Sequence, residues 1–316
     1  MAVPTNTLQT YQSSYNAEDV TDIIMNISPV DTPLLTMAKK GEAEATYTEW
    51  PIESLAAADG TNANIEGDDA TTDASTTPSR VGNYTQLVDK VFQVSTTQDA
   101  IKKYGAKNEF ARQKAKKGKE LKRDMETIML RNQARVVGAA GVAQLMRGLP
   151  SWYATNANRG AGGANGSAST AATDGTQRNF TEALFRATLV TAITNANELP
   201  SVVMAGPANR ANLSTQLSGN STRFYELKDG QLNASISVYR SDYGPLKFVM
   251  NRFQRERDMH FINPDYLQIR TLEPMQYQDL AKTGLSRRGQ MWTNFTLAVL
   301  NEGAHAVLAD LNTAVL

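Results

Sequence analysis

The chain has no cysteine, only two histidines, no net charge and no long apolar run. Each shortage removes a class of protein. Without cysteine there is no disulfide scaffold, no thiol nucleophile and no Cys-ligated metal. His260 and His305 are the whole supply of the usual acid–base residue. Both lie in strand-like segments and read as packed or surface histidines. Lys plus Arg balances Asp plus Glu at 32 each, whereas a dedicated nucleic-acid binder is usually basic. No apolar run approaches the roughly 18 residues of a membrane span. The opening MAVPTNTLQTYQSS lacks the charged and apolar regions of a signal peptide. The chain is therefore expected to stay in a cytoplasm-like compartment, with no membrane partner.

The nucleotide and hydrolase motifs are missing too. Gly118-Lys119 runs into Glu120 and has no upstream glycine, so it is no P-loop. There is no GxGxxG after a strand, no GxSxG and no HExxH. Glu66, Asp68 and Asp69 lack the spacing of an EF-hand. No catalytic, cofactor-binding or metal residue is expected.

What is present is a long helical stretch, from about Lys107 to about Val137. It contains no proline and is rich in strong helix formers. Lys107 or Asn108 marks its start, and Gly138 and Gly141 its end. About 31 residues at 1.5 Å rise give a rod of roughly 46 Å, long enough to be the spine of the subunit. Leu121, Met125, Ile128, Met129 and Val136 fall on one face, which predicts burial of the second half. The first half carries Lys107, Arg112, Lys114, Lys116, Lys117 and Lys119, and reads as a cationic surface. Gly118 at the join marks a bend or a close approach of another backbone.

Charge is separated along the chain. Residues 41–79 hold Glu42, Glu44, Glu49, Glu53, Asp59, Glu66, Asp68, Asp69 and Asp73, with no Lys or Arg. Residues 102–135 hold twelve basic residues and four acidic ones. These read either as two solvated faces or as complementary surfaces that meet between copies. On the second reading the contact residues are Glu49, Glu53, Asp59, Glu66, Asp68, Asp69 and Asp73 against Arg112, Lys114, Lys116, Lys117 and Lys119.

The remaining pattern is mixed. Residues 1–15 read as an extended arm, and Asn16–Ile27 as a short helix closed by Pro29. Ala45–Pro51 and Tyr84–Ser95 alternate as the two strands of an arm with a long acidic tip. Residues 154–178 contain nothing apolar larger than Ala and read as a flexible linker or loop. Asn179 with Glu182 forms a capping-box pattern before a helix to about Asn197. Strands are expected at Ser201–Ala205, Ala234–Tyr239, Leu246–Met250, Met259–Ile262, Tyr266–Thr271, Gln290–Asn301 and Ala304–Leu308, and a helix at Pro207–Leu217. Asn301-Glu302-Gly303 predicts a hairpin between the last two strands. Helices and strands mix without βαβ repeats, so the fold class is α+β.

This order of elements resembles tailed-phage major capsid proteins of the HK-ninety-seven-type fold, and within them the family typified by coliphage SU-ten. The resemblance rests on SPVDTPLL (28–35), ISVYRSDYGPLKFVMNRF (236–253), HFINPDYLQIRTLEP (260–274), LAKTG (280–284) and NFTLAVLNEGAHAVLADL (294–311). It implies an N-arm (1–40), an E-loop (41–95), a P-domain (96–175 and 266–316, with the spine helix at 107–137) and an A-domain (176–265). It further implies a structural shell protein whose main partner is itself, in hexamers and pentamers. Portal, scaffold or decoration proteins and non-specifically packaged double-stranded DNA are the other implied partners. Assembly would take place in the bacterial cytoplasm and end in the virion. Some relatives cross-link through an E-loop lysine; residues 41–79 hold none, so no cross-link is expected. No helical scaffold-like segment precedes the arm, so any scaffold would be a separate protein. Two other readings compete: a nucleoid-type DNA-packaging protein using the basic helix, and a hydrolase using His260 or His305.

Overall fold

The computed structural model describes residues 31–314 except 64, 68, 70–74, 76, 103–107, 196–198, 220–237, 242 and 283. The expected extended arm at 1–15 and helix at Asn16–Ile27 lie outside the described residues, which take in only residues 31–40 of the expected N-arm.

The chain opens with a short helix α1 (Pro33–Met37) and strand β1 (Lys39–Glu42). Strands β2 (Tyr47–Ile52), β3 (Ser79–Tyr84) and β4 (Gln86–Ser95) follow, then the short helix α2 (Thr96–Ala100) and the long helix α3 (Glu109–Leu130). A one-turn helix α4 (Leu149–Trp152), strand β5 (Ala157–Asn158), helix α5 (Glu182–Asn195), strand β6 (Val202–Ala205) and helix α6 (Pro207–Gly219) come next. Strands β7 (Val238–Ser241), β8 (Gly244–Met250), β9 (Met259–Ile262), β10 (Leu267–Leu280), β11 (Ser286–Val299) and β12 (Ala306–Leu308) complete the set.

Helix α3 starts where the sequence placed it. The Asn108 side chain accepts the Ala111 amide and caps the first turn. It ends at Leu130, seven residues before Val137, so the rod is 22 residues and roughly 33 Å. The glycines at 138 and 141 are not the stop. Past Arg131 the backbone is extended, and Gln133 donates its side-chain amide to Met146 O (2.8 Å). Gly148 is packed against the same bend. A Cβ there would meet Arg131 O at 1.9 Å, so only glycine lets the returning chain close. Gly118 lies inside an unbroken helix, and what approaches it is the Met291 side chain rather than a backbone.

Beneath α3 lies a four-stranded sheet in the order β1-β10-β11-β4. Phe110 and Leu121 of the helix pack on Phe92, Val94 and Met291. Met125, Met129 and Leu130 enter a second cluster with Leu34, Trp50, Trp152, Phe295 and Leu297. Strands β10 and β11 are 14 residues each, with a register shift around Glu273 beside Pro274, a residue that cannot donate to a ladder. A six-stranded sheet has the order β5-β12-β9-β6-β8-β7. Phe185 and Leu189 of α5 and Leu213 of α6 share a core with Phe248, Phe261 and Leu308 of this sheet.

Four local expectations are corrected. Strand β2 pairs with β3, and β4 pairs instead with β11. Residues 45–51 therefore find their partner at 79–84. Strands β11 and β12 form no hairpin. Asn301 accepts the Gly303 amide, a 3-10 turn forms at Glu302–Ala304, and β12 crosses to pair with β9 and β5. Helix α5 is capped by Thr181, whose hydroxyl accepts the Leu184 amide (3.3 Å), while Asn179 bonds to Asn312. Residues 154–178 are a folded loop, held as described below.

Candidate assembly surface

The acidic arm has a rigid root. Trp50 is buried and packs tilted against Trp152, with ring centroids 5.7 Å apart. Asn83 is fully buried: its amide donates to Arg147 O (3.2 Å) and Leu297 O (2.8 Å), and its oxygen accepts the Arg147 amide (2.8 Å). Arg135 lies over the Tyr47 and Tyr84 rings and donates to Tyr47 Oη (2.7 Å) and Gly82 O (2.8 Å). A side chain that satisfies several backbone groups at once, out of water, fixes the arm's base to the core.

Beyond the root the arm is bare. Every described residue from 53 to 78 is exposed, including Leu55 at 97% and Ile65 at 78%. Glu49 stands 3.8 Å from Arg80 in an exposed pair, which contributes little. Asp59 accepts the Thr61 hydroxyl and amide, which hold its carboxyl below the usual range. Glu53, Glu66 and Asp69 are exposed. Asp68 and Asp73 lie outside the described residues.

The basic half of α3 is partly answered within the chain. Arg112 pairs with Glu109. The Lys114 ammonium sits 3.6 Å from the centre of the Tyr277 ring. Lys117 reaches Glu120 at 2.7 Å, with Lys116 at 4.0 Å from the same carboxylate. Glu120 is held below its ordinary value, first by the hydrogen bond from Lys117. Lys116 and Lys119 are exposed. Among the described residues, no arm carboxylate pairs with any of these bases.

Two buried acids that the sequence did not single out hold the subunit together. Glu126 is fully buried; its two oxygens take the Leu34 and Leu35 amides at 2.8 Å each, and Asn251 Nδ2 at 2.6 Å. Burial pushes its pKa up against those bonds and against Lys40. Three separate segments thus meet on one carboxylate. Asp310, also fully buried, accepts the Gly160 and Gly175 amides at 2.9 Å each and Arg257 Nη2 at 2.6 Å. Burial pushes its pKa up, but these three bonds together outweigh it and hold it below the usual range. Asp174 adds bonds to Arg255 and Arg257. This clamp is why the glycine- and alanine-rich loop 154–178 is folded.

Asp258 is 3% exposed beside this clamp. Burial pushes its carboxyl up to about 6, against Arg255 and Arg159. A folded-state value above the unfolded one means the folded chain holds the proton more tightly. That stability is full below about pH 4 and is lost as pH rises through about 6, to the extent of about 3 kcal/mol. Asp258→Asn cannot titrate. Between pH 4 and 7 the wild type is expected to lose about 2 kcal/mol relative to this variant, measured by urea unfolding at each pH.

The histidines lie in the core. His260 stacks on Tyr153, centroids 5.6 Å apart, and burial pushes it down to about 3. His305 accepts the Asn263 amide and is pushed down to about 4 by burial. Both are neutral at pH 7. No helix among the described residues is long and apolar enough to cross a membrane.

Spine helix, two-stranded arm, four-stranded sheet and helix-backed second sheet together define the α+β fold of tailed-phage capsid subunits. The Cyanophage A-1(L) capsid asymmetric unit matches with a TM-score of 0.64 and 14% identity, over 96% of this chain and 98% of that one. The structure of Gordonia phage Cozz matches at 0.60 and 11%, over 98% and 97%. The chain belongs to the SU10 major capsid protein family, whose model matches residues 3–312. A curated major capsid protein of Escherichia phage Phieco32 is 42% identical over 110 residues, which is 34% of this chain and 31% of that protein's length.

Proposed function

We infer that this chain is the structural subunit of a tailed-phage head, and that copies of it close into the shell. The observation that carries the reading is the family match over residues 3–312, joined to the fold shared with solved capsids. The packed histidines and the neutral balance of charge favour it over the hydrolase and nucleoid readings. Electron microscopy of the purified protein tests it. Closed particles are expected; monomers at every salt and protein concentration would overturn it.

On this reading the subunit meets its own copies as hexamers and pentamers in the virion. A portal, scaffold or decoration proteins and enclosed double-stranded DNA complete the partners, and assembly precedes release from the bacterial cytoplasm. We propose an N-arm at 1–40, an E-loop from 41, a P-domain around α3 and the four-stranded sheet, and an A-domain around α5, α6 and the six-stranded sheet. The two sheets support two shifts of border. Strand β4 goes with the P-domain sheet, and β5 and β12 go with the A-domain sheet.

The acidic arm is proposed to lie on a cationic surface of a neighbouring copy, with Glu49, Glu53, Asp59, Glu66, Asp68, Asp69 and Asp73 on one side. Of the five bases expected to meet it, Arg112, Lys114 and Lys117 are closely engaged at home and Lys116 only at 4.0 Å from Glu120, so Lys116 and Lys119 are the exposed ones. Lys116→Glu with Lys119→Glu is expected to lower particle yield, more so at low salt, while leaving subunit unfolding unchanged. Normal shells from this variant would make the helix charge a solvated face.

A further inference from the structure

Loop 154–178 is the crossing between two cores. Trp152 and Tyr153 before it lie in the main core, and Phe180 just past it lies in the core of the six-stranded sheet. Asp310 pins the two shoulders of the loop, at Gly160 and Gly175. A second set of ties reaches it from the turn between β8 and β9. Carboxylates and guanidiniums alternate there in one row: Asp258, Arg255, Asp174, Arg257, Asp310. Asp174, the middle member, belongs to the loop. The two ends of the row differ. Asp310 has three hydrogen bonds, whereas Asp258, also buried, has Arg255 Nε at 3.5 Å, longer than a good hydrogen bond.

Asp258 therefore competes for cations that the loop is using. Arg255 donates Nη2 to Asp174. Arg159, within electrostatic reach of Asp258, donates Nε to Asn165 Oδ1 (2.8 Å). Asp174 and Asp310 face Asp258 with like charge. Asp310 stays ionised between pH 5 and 7, and burial keeps His260 and Tyr153 neutral. Glu256 of the same turn points to α6, where it accepts the Ala208 and Asn209 amides (2.6 and 3.0 Å). Asp258 itself, at about 6, titrates within this range. We propose that the 251–258 turn is an acid-closed latch on loop 154–178. While Asp258 is uncharged, Arg255 belongs to Asp174 and Arg159 to Asn165, and the loop is held at both places. When Asp258 ionises, both guanidiniums are drawn toward it and its charge repels Asp174. The middle of the loop loosens, while its shoulders stay on Asp310. An open loop returns the Asp258 carboxyl toward its ordinary value of about 3.9, so the open form gains about tenfold on the closed one between pH 5 and 7.

Hydrogen exchange of the full-length chain tests the latch independently of the shell reading. Ala164 and Thr173 exchange amide–carbonyl bonds across the middle of the loop, and the Gly160 and Gly175 amides report on its shoulders. After correction for intrinsic rates, protection at Ala164 and Thr173 is expected to fall about tenfold from pH 5 to pH 7. At both pH values it is expected to stay below that of the shoulders and of β9 and β12, because the middle opens without them. Asp258→Asn is expected to keep the pH 5 protection at pH 7, and Arg255→Gln to show low protection at both. The wild-type profile decides even where a variant fails to fold. Unchanged wild-type protection between the two pH values would overturn the latch. So would protection in the loop equal to that of β9 and β12, which would make the opening global. A tenfold fall that persists in Asp258→Asn, or wild-type protection in Arg255→Gln, would overturn it as well.

Discussion

Asp310→Ala is expected to cost the subunit about 3–5 kcal/mol. The reason is geometric. One carboxylate takes two loop amides and a guanidinium, and the alanine leaves all three without it. Arg257 is then a half-buried cation that loses its closest carboxylate and keeps Asp174, at 3.2 Å, and the Gly175 carbonyl, at 2.8 Å. The residue also sits at φ +60°, the one left-handed non-glycine among those described. Asp310→Gly removes that strain and is expected to be about 1 kcal/mol less harmful than the alanine. Asp310→Asn keeps the shape but loses the charge and one acceptor, and should fall between wild type and alanine. Urea unfolding measures the series, and protease cutting within 154–178 reports where the loss falls. An alanine variant within 1 kcal/mol of wild type, with the loop still protected, would show that the clamp is dispensable.

Glu126→Ala is expected to lose a similar amount, about 3–5 kcal/mol, but in a different place. The Leu34 and Leu35 amides and the Asn251 side chain lose their acceptor together. Leu34 is fully buried in the main core, so α1 stays docked only if its first amides are satisfied. Hydrogen exchange at Leu34 and Leu35 should rise toward that of a free peptide, while β10 and β11 remain protected. Glu126→Gln keeps one acceptor oxygen and is expected to recover part of the protection. Slow exchange at both amides in the alanine variant would mean that apolar packing alone holds α1.

The long helix, the α+β class and most strands were legible because their signals are local. Asn108 caps its own helix, and Met259–Ile262 is a short apolar run that pairs as a buried strand. What was illegible depends on residues far apart in sequence. The stop at Leu130 is set by Gly148 and Met146. The loop 154–178 has the composition of a linker and is ordered by a carboxylate at 310. The hairpin signal at 301–303 is real turn chemistry, yet β12 is taken by β9 and β5. Charge shows the same limit. The basic run of α3 was visible, but Tyr277 and Glu120 answer part of it. Glu126 looked like one more solvated helix acid, and only burial against α1 and Asn251 gives it a role.

Strand β1 lies parallel to β10, with Lys39 opposite Gln268 and Glu42 opposite Thr271. Strand β4 waits in the same way for β11. At roughly 5–20 residues per second, the ribosome needs about 10–45 s to go from the first of these partners to the second. The sheet under the spine therefore cannot close until nearly the whole chain has been made. A nascent or truncated chain displays the acidic arm without the sheet that anchors its root. Synthesis order thus acts as a quality check, since a chain that stops short of Val299 cannot complete the platform that presents its assembly surfaces.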